Sequence, residues 1–165
     1  MTAARRSVAT IGVYEFDARG FVAALRGAQV TKLLDVRQRR GVRGPRYSWA
    51  NSRRLQALLA EAAIAYEHHI ELAPTTELRH LQYREDDRHG VGKRNRMQLA
   101  PEYVRRYTAE ILDRVPLEPI VERFPDDGIA ALMCVEALAQ ACHRSLVARR
   151  LGERFGFEVV HLKPE

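Results

Sequence analysis

Residues 129–149 read IAALMCVEALAQACHRSLVAR, and few folds accommodate such a stretch. It opens on a short apolar run, Ile129 to Met133, of the length and character of a strand buried on both faces. It closes on a helical pattern from Ala141 to about Phe155, with Leu146, Val147 and Leu151 on one face. A doubly buried strand followed by an amphipathic helix is the building unit of an α/β sheet. Between the two stand Cys134, Glu136, Cys142, His143 and Arg144. In open α/β folds, ligands bind outside the carboxyl ends of the strands. The first turn of the next helix offers free N–H groups to anions. The stretch therefore specifies a candidate site together with a fold.

The beginning of the chain repeats the unit. Ser7 to Tyr14 reads as a strand ending near Gly12. Asp17 is placed to cap a helix that carries Phe21, Val22 and Leu25 and is closed by Gly27. Val30 to Val36 is a second buried strand, whose end delivers Asp35 and Arg37. Such a β-α-β opening predicts a parallel sheet. Asn51 or Ser52 then caps a helix bearing Leu55, Leu58, Leu59 and Ala62, and Ile64 to Ile70 is a third strand. Residues 73–98 are polar with alternating charge, and Gly90 and Gly92 suggest a mobile loop or lid. Pro101 suits the first turn of a helix through Tyr103, Val104, Tyr107, Ile111 and Leu112. A short helix over 117–124, a turn at 125–128 and a last strand over 157–162 complete the pattern. The expected fold is one domain over residues 1–165: a Rossmann-like, three-layer α/β sandwich with a mainly parallel sheet of about five strands. Its site is expected where strands 1, 2 and 4 end together.

Charge narrows the partners. Lys plus Arg number 27 against 21 acidic residues, a net charge of +6. The lysines are Lys32, Lys93 and Lys163, so the basic charge is almost all arginine, whose planar fork suits phosphate. A nucleic acid or a nucleotide is the expected partner. No apolar run approaches the roughly 20 residues of a membrane helix. The N-terminal MTAARRSVAT lacks the apolar segment of a secretory signal. A cytoplasmic location with no membrane contact follows as the expectation, and two cysteines there read as reduced thiols.

Each candidate residue has a functional and a structural reading. Cys142, at a helix start beside His143 and Arg144, is the candidate nucleophile, because thiolates are favoured in such surroundings; otherwise it packs the strand–helix junction. Six residues beyond Cys142 stands Ala148, so the Cys-x5-Arg loop of tyrosine phosphatases is absent. Arg37 and Arg144 are candidate phosphate ligands, or structural partners of Asp35 and Glu136. Asp35 and Glu136 are candidate general acid or base groups, or anchors for those arginines. His143 is a candidate ligand contact, although adjacent helical residues do not face each other. Residues 37–54, RQRRGVRGPRYSWANSRR, form an arginine-rich loop broken by Gly41, Gly44 and Pro45. Arg43 and Arg46 with Tyr47 and Trp49 match what a single strand needs, cations for the backbone and ring faces for the bases. The alternative is a solvated loop with its aromatic rings docked on the core. Cys134, Cys142, His143 and His161 are metal-ligating types without zinc-finger or knuckle spacing, so neither metal nor cofactor is expected.

Several of these segments resemble one family. Cys134-x-Glu136 followed after five residues by Cys142-His143-Arg144 is similar to the C-terminal signature of the domain of unknown function 488 family. Thr10-Ile11-Gly12 resembles its N-terminal strand, and Leu33-Leu34-Asp35-Val36-Arg37 its Asp-Val-Arg strand end. Tyr66 with His68 or His69, followed by Glu71-Leu72, resembles its third block. The resemblance implies an α/β domain with a site and brings no activity with it. The leading expectation is an enzyme acting on a nucleic acid or nucleotide, with Asp35 or Glu136 as acid or base and Cys142 as nucleophile. Base excision or base modification would fit it. A non-catalytic nucleic-acid or regulatory binding module, and a small-molecule thiol or sulfur-transfer enzyme using Cys142, are the alternatives.

Overall fold

The computed structural model describes residues 5–165. The first four residues, part of the N-terminal segment considered above, lie outside them. Five parallel strands form one sheet: β1 (Ser7–Gly12), β2 (Val30–Asp35), β3 (Ala65–His68), β4 (Ile129–Cys134) and β5 (Glu158–His161). Their order is β3-β2-β4-β1-β5. Of the three central strands, β1 and β4 are buried beyond their first residue and β2 is buried over Leu33–Asp35, as a sheet covered on both faces requires. The edge strands, AYEH and EVVH, mix polar residues and are partly exposed. β4 lies between β1 and β2, so Gly12, Cys134 and Asp35 end side by side: Gly12 pairs with Cys134, and Asp35 with Met133.

Helices cover both faces. α1 (Ala18–Gly27) packs on β2 and on α2 (Ser52–Glu61). Asp17 caps α1 by accepting from the Gly20 N–H at 2.7 Å, and Phe21 and Leu25 are its buried residues. α3 (Thr76–Arg88) packs on α4 (Pro101–Tyr107), which runs on into a π-helical turn over Thr108–Leu112; α5 (Glu118–Glu122) is short. α6 (Arg144–Phe155) packs on β1, β4, β5 and the π turn. It ends at Gly156, whose φ of 75° is the left-handed cap that glycine adopts without penalty. The expected three-layer α/β fold is thus observed, with an all-parallel five-stranded sheet. No helix among the described residues is long and apolar enough to cross a membrane.

Two expectations are corrected. Residues 73–98 are not an irregular lid, because α3 occupies half of them. Thr75 caps it, accepting from the Leu78 N–H at 3.2 Å, and the inward residues Leu78, Gln82 and Asp86 recur every fourth position. That face is mostly polar, so it carries a weak hydrophobic signal. The last helix begins at Arg144, three residues later than expected, because a tight turn over Ala139–Ala141 intervenes.

Candidate functional site

A cleft of about 560 Å³ opens at the carboxyl ends of the central strands. Its floor is Cys134, Val135, Glu136, Ala141, Cys142 and His143, the end of β4 and the loop leading to α6. That loop is fastened at several points. The Val13 and Tyr14 N–H groups both donate to the Val135 carbonyl, at 3.0 and 2.9 Å. Arg144, fully buried, donates to the Glu136 carbonyl at 2.6 Å, the Ala137 carbonyl at 3.4 Å and Thr10 Oγ1 at 3.3 Å. Gly12 makes the approach feasible: a Cβ there would stand 2.0 Å from the Glu136 oxygen.

At the base of the floor, the two cysteines meet one histidine. Cys142 is extended (φ −139°, ψ 145°) and precedes the helix. Its side chain therefore reaches its neighbour in sequence, which side-chain directions within a helix would prevent. Cys134 Sγ and Cys142 Sγ each lie 3.8 Å from His143 Nδ1. The opposite ring nitrogen, Nε2, lies 2.7 Å from the carbonyl of Val36. A carbonyl only accepts, so Nε2 carries the proton and donates, which in the neutral ring leaves the Nδ1 lone pair facing the sulfurs. The His143 ring packs against Tyr107 at 5.5 Å. Burial pushes the Cys142 thiol up, but the hydrogen bond from Cys134, the charge and hydrogen bond of His143 and the charge of Arg144 together hold it well below the usual range. Burial pulls His143 down, and the Cys142 sulfur more than offsets it, so the imidazole is raised.

The walls are cationic. Arg37, Arg39, Arg43, Arg79, Arg94 and Arg96 line the cleft, and Glu136 is its one carboxylate among the described residues. Arg96, buried, is tied to Asp86 through Nε (3.0 Å to both oxygens) and Nη2 (2.7 Å), and reaches Glu136 Oε1 at 3.3 Å. Its guanidinium is raised: burial opposes the charge, and Asp86 and Glu136 outweigh burial. Arg39, Arg43, Arg79 and Arg94 form no ion pair among the described residues. Arg94 stacks over Tyr14 and Tyr47, at 5.1 and 5.5 Å. Arg79 donates to Gln38 at 2.8 Å and to Tyr83 at 3.0 Å.

The residues singled out from the sequence divide into three groups. Cys142, His143, Glu136, Arg37 and Arg43 line the cleft. Asp35 and Arg144 lie beneath it, both fully buried. Asp35 does not face Glu136; it accepts from Arg37 Nε (2.9 Å) and Nη2 (2.8 Å) and from Tyr66 Oη (2.7 Å). The third fork of Arg37 donates to the Ala50 carbonyl at 3.0 Å. Arg37 and Arg144 thus each donate to protein acceptors through Nε, Nη1 and Nη2. The aromatics of the arginine loop are also turned inward. Tyr47 is 2% exposed and offers no face to a base, and the partly buried Trp49 packs on Phe21 at 4.9 Å. Arg46 stays exposed, stacked on Tyr47 at 5.0 Å. His161, a metal-ligating type in the sequence, bonds Thr10 Oγ1 at 2.7 Å and takes no part. The sequence reading missed Arg79, Arg94 and Arg96, which come from the segment read as a lid.

The constellation of a β4-end cysteine, a helix-leading Cys-His-Arg and a buried Asp-Val-Arg strand end has a counterpart among known families. The family model described as Domain of unknown function DUF488 matches residues 17–151. The chain belongs to the DUF488 family. The matched span holds Asp35 to Arg37 and Cys134 to Arg144 and begins after Thr10 to Gly12. In this DUF488 chain the signature therefore splits by place: Asp35 and Arg144 lie beneath the floor, while Arg37, Cys134, Cys142 and His143 line the cleft. No curated protein and no solved structure matches the chain.

Proposed function

We propose that this DUF488 protein binds a phosphate-bearing ligand of nucleotide size, either a free nucleotide or one unit of a nucleic-acid strand, and presents it to the Cys134–Cys142–His143 floor for reaction. The observation that carries the reading is the set of four cleft arginines, Arg39, Arg43, Arg79 and Arg94, without carboxylate partners among the described residues. Unmatched guanidinium groups converging on one concavity attract anions, and their forks suit phosphate oxygens. The volume supports a ligand of this class, since small-molecule sites span about 300–1,000 Å³. A duplex does not fit such a space, so a nucleic-acid substrate would enter as an unpaired unit. Arg94, exposed and lining the cleft, is held over the buried rings of Tyr14 and Tyr47, which supports its guanidinium beside the other phosphate-binding forks.

The test is a titration of the purified protein with nucleoside mono-, di- and triphosphates and with short single-stranded oligonucleotides, followed by calorimetry or anisotropy at two salt concentrations. Binding of at least one class that weakens steeply with salt supports the reading. No binding of any of them at low salt overturns it.

A further inference from the structure

We infer that Cys134, Cys142 and His143 form a site for a thiophilic divalent cation, zinc by preference, with one coordination position left open toward the cleft. The donor atoms come from two places in the chain, the end of β4 and the adjacent residues Cys142 and His143 that lead into α6, and converge so that all lie within 4.8 Å of one another. Zinc holds sulfur at about 2.3 Å and imidazole nitrogen at about 2.0 Å, so tetrahedral S and N donors stand about 3.5 Å apart. Both observed S–N separations are 3.8 Å, so the three donors reach the ion with small side-chain adjustments.

A second, independent observation is the orientation of His143. Metal-bound histidine characteristically donates its other ring N–H to a carbonyl or carboxylate, which fixes the tautomer and aims the lone pair. Here Nε2 donates to the Val36 carbonyl at 2.7 Å, and Nδ1 is the nitrogen aimed at the two sulfurs. The charges also balance: two thiolates cancel a divalent ion, which lets a cation rest on the floor of an arginine-lined cleft. Two soft sulfurs and an imidazole favour zinc over magnesium or calcium. With three protein ligands, all of which line the cleft, the arrangement is that of a catalytic zinc with an exchangeable fourth position, not of a closed structural site. The ion would draw an oxygen of a bound anion onto itself, and Glu136 lines the same floor.

The experiment uses the full chain, stripped with chelator and titrated with Zn²⁺ and with Co²⁺. The expected result is one ion per chain, with visible ligand-field bands of a tetrahedral Co²⁺ site and near-ultraviolet thiolate-to-cobalt charge transfer. X-ray absorption of the zinc form should show two sulfurs and one nitrogen. Cys134→Ser, Cys142→Ser and His143→Gln should each weaken binding by at least tenfold. Should a variant fail to fold, alkylation of the wild-type chain decides: Zn²⁺ should protect both cysteines from iodoacetamide. Failure to bind either ion stoichiometrically, a spectrum without sulfur ligands, or equal alkylation with and without zinc overturns the inference. Arg79→Ala and Arg94→Ala separate this site from the nucleotide reading, since they should retain the cobalt spectrum while losing anion affinity.

Discussion

Asp35 and Arg37, two residues apart at the end of β2, close a two-point ion pair away from solvent, at 2.9 and 2.8 Å, with the Asp35 side chain fully buried. Tyr66 adds a third bond to the same carboxylate. Removing one partner of a buried pair leaves an uncompensated charge, a loss of about 3–5 kcal/mol. Asp35→Ala is therefore expected to lower the unfolding free energy by that amount in urea titrations. The double replacement Asp35→Leu with Arg37→Met should recover most of it. Asp35 meets no cleft ligand, so ligand affinity of the folded fraction should stay within about twofold. A selective loss of turnover in a stable Asp35 variant would restore it as an acid or base.

The contact of Gly12 with the Glu136 carbonyl sets a second expectation. Gly12→Ala places a methyl group 2.0 Å from that oxygen, and neither backbone can retreat without breaking Arg144's bonds to the loop. Overpacking of this kind costs about 1–3 kcal/mol. The thermal midpoint should fall and the floor should loosen, read as faster alkylation of Cys134 and Cys142. An unchanged midpoint would mean that the loop yields freely.

Arg79 and Arg94 touch no carboxylate, so their removal should act on binding and little on folding. Each alanine substitution should reduce affinity for the best nucleotide about tenfold, or roughly 1.4 kcal/mol. The salt dependence should become shallower with each guanidinium removed from the phosphate. Stability should change by less than about 1 kcal/mol, the size of an exposed cation–π contact. Calorimetry and thermal melts on the same samples check both halves.

Glu67 supplies a pH expectation. Burial pushes its carboxyl up, but Lys32 at 2.9 Å, Arg123 at 2.8 Å and His69 outweigh burial and hold it below the ordinary value of 4.5. A depressed folded value means the stabilisation is present above the unfolded value and is lost as pH falls through the folded one. The wild-type unfolding free energy should therefore drop more steeply below about pH 4.5 than that of Glu67→Gln. At neutral pH the variant should cost about 0.5–1 kcal/mol, the upper part of the range for surface ion pairs, since Lys32 and Glu67 are both partly buried. Parallel acid limbs in the two proteins would refute the assignment.

What the sequence disclosed follows from where hydrophobic pattern and chemistry agree. Ile129 to Met133 announced β4 because a doubly covered strand admits only apolar residues, and Asp17 announced α1 because an N-cap is a local interaction. The α3 face escaped notice because Gln82 and Asp86 are buried for the sake of Arg96, a partner ten residues beyond Asp86 that periodicity does not reveal. Arg37 follows the end of β2 and Arg144 opens α6, and the sequence leaves open whether their acceptors are ligands or protein groups. Tyr47 and Trp49 alternate with arginines as a base-stacking surface would, but ring packing on Tyr14 and Phe21 turns them inward. The Cys142–His143 contact depends on one extended residue, since two adjacent side chains in a regular helix diverge.

The tethering of residues 135–137 has a kinetic corollary. The Val13 and Tyr14 amides end on Val135, and Arg144 holds the next two carbonyls, so these bonds open together with the centre of the sheet. The amides of Val13 and Tyr14 should then exchange with deuterium only through cooperative, near-global opening, whereas the exposed backbone around Arg43 and Gly44 exchanges freely. The cleft thus joins a slow side to a fast one: the wall around Arg43 can shift while the floor of Cys134, Cys142 and His143 keeps one geometry.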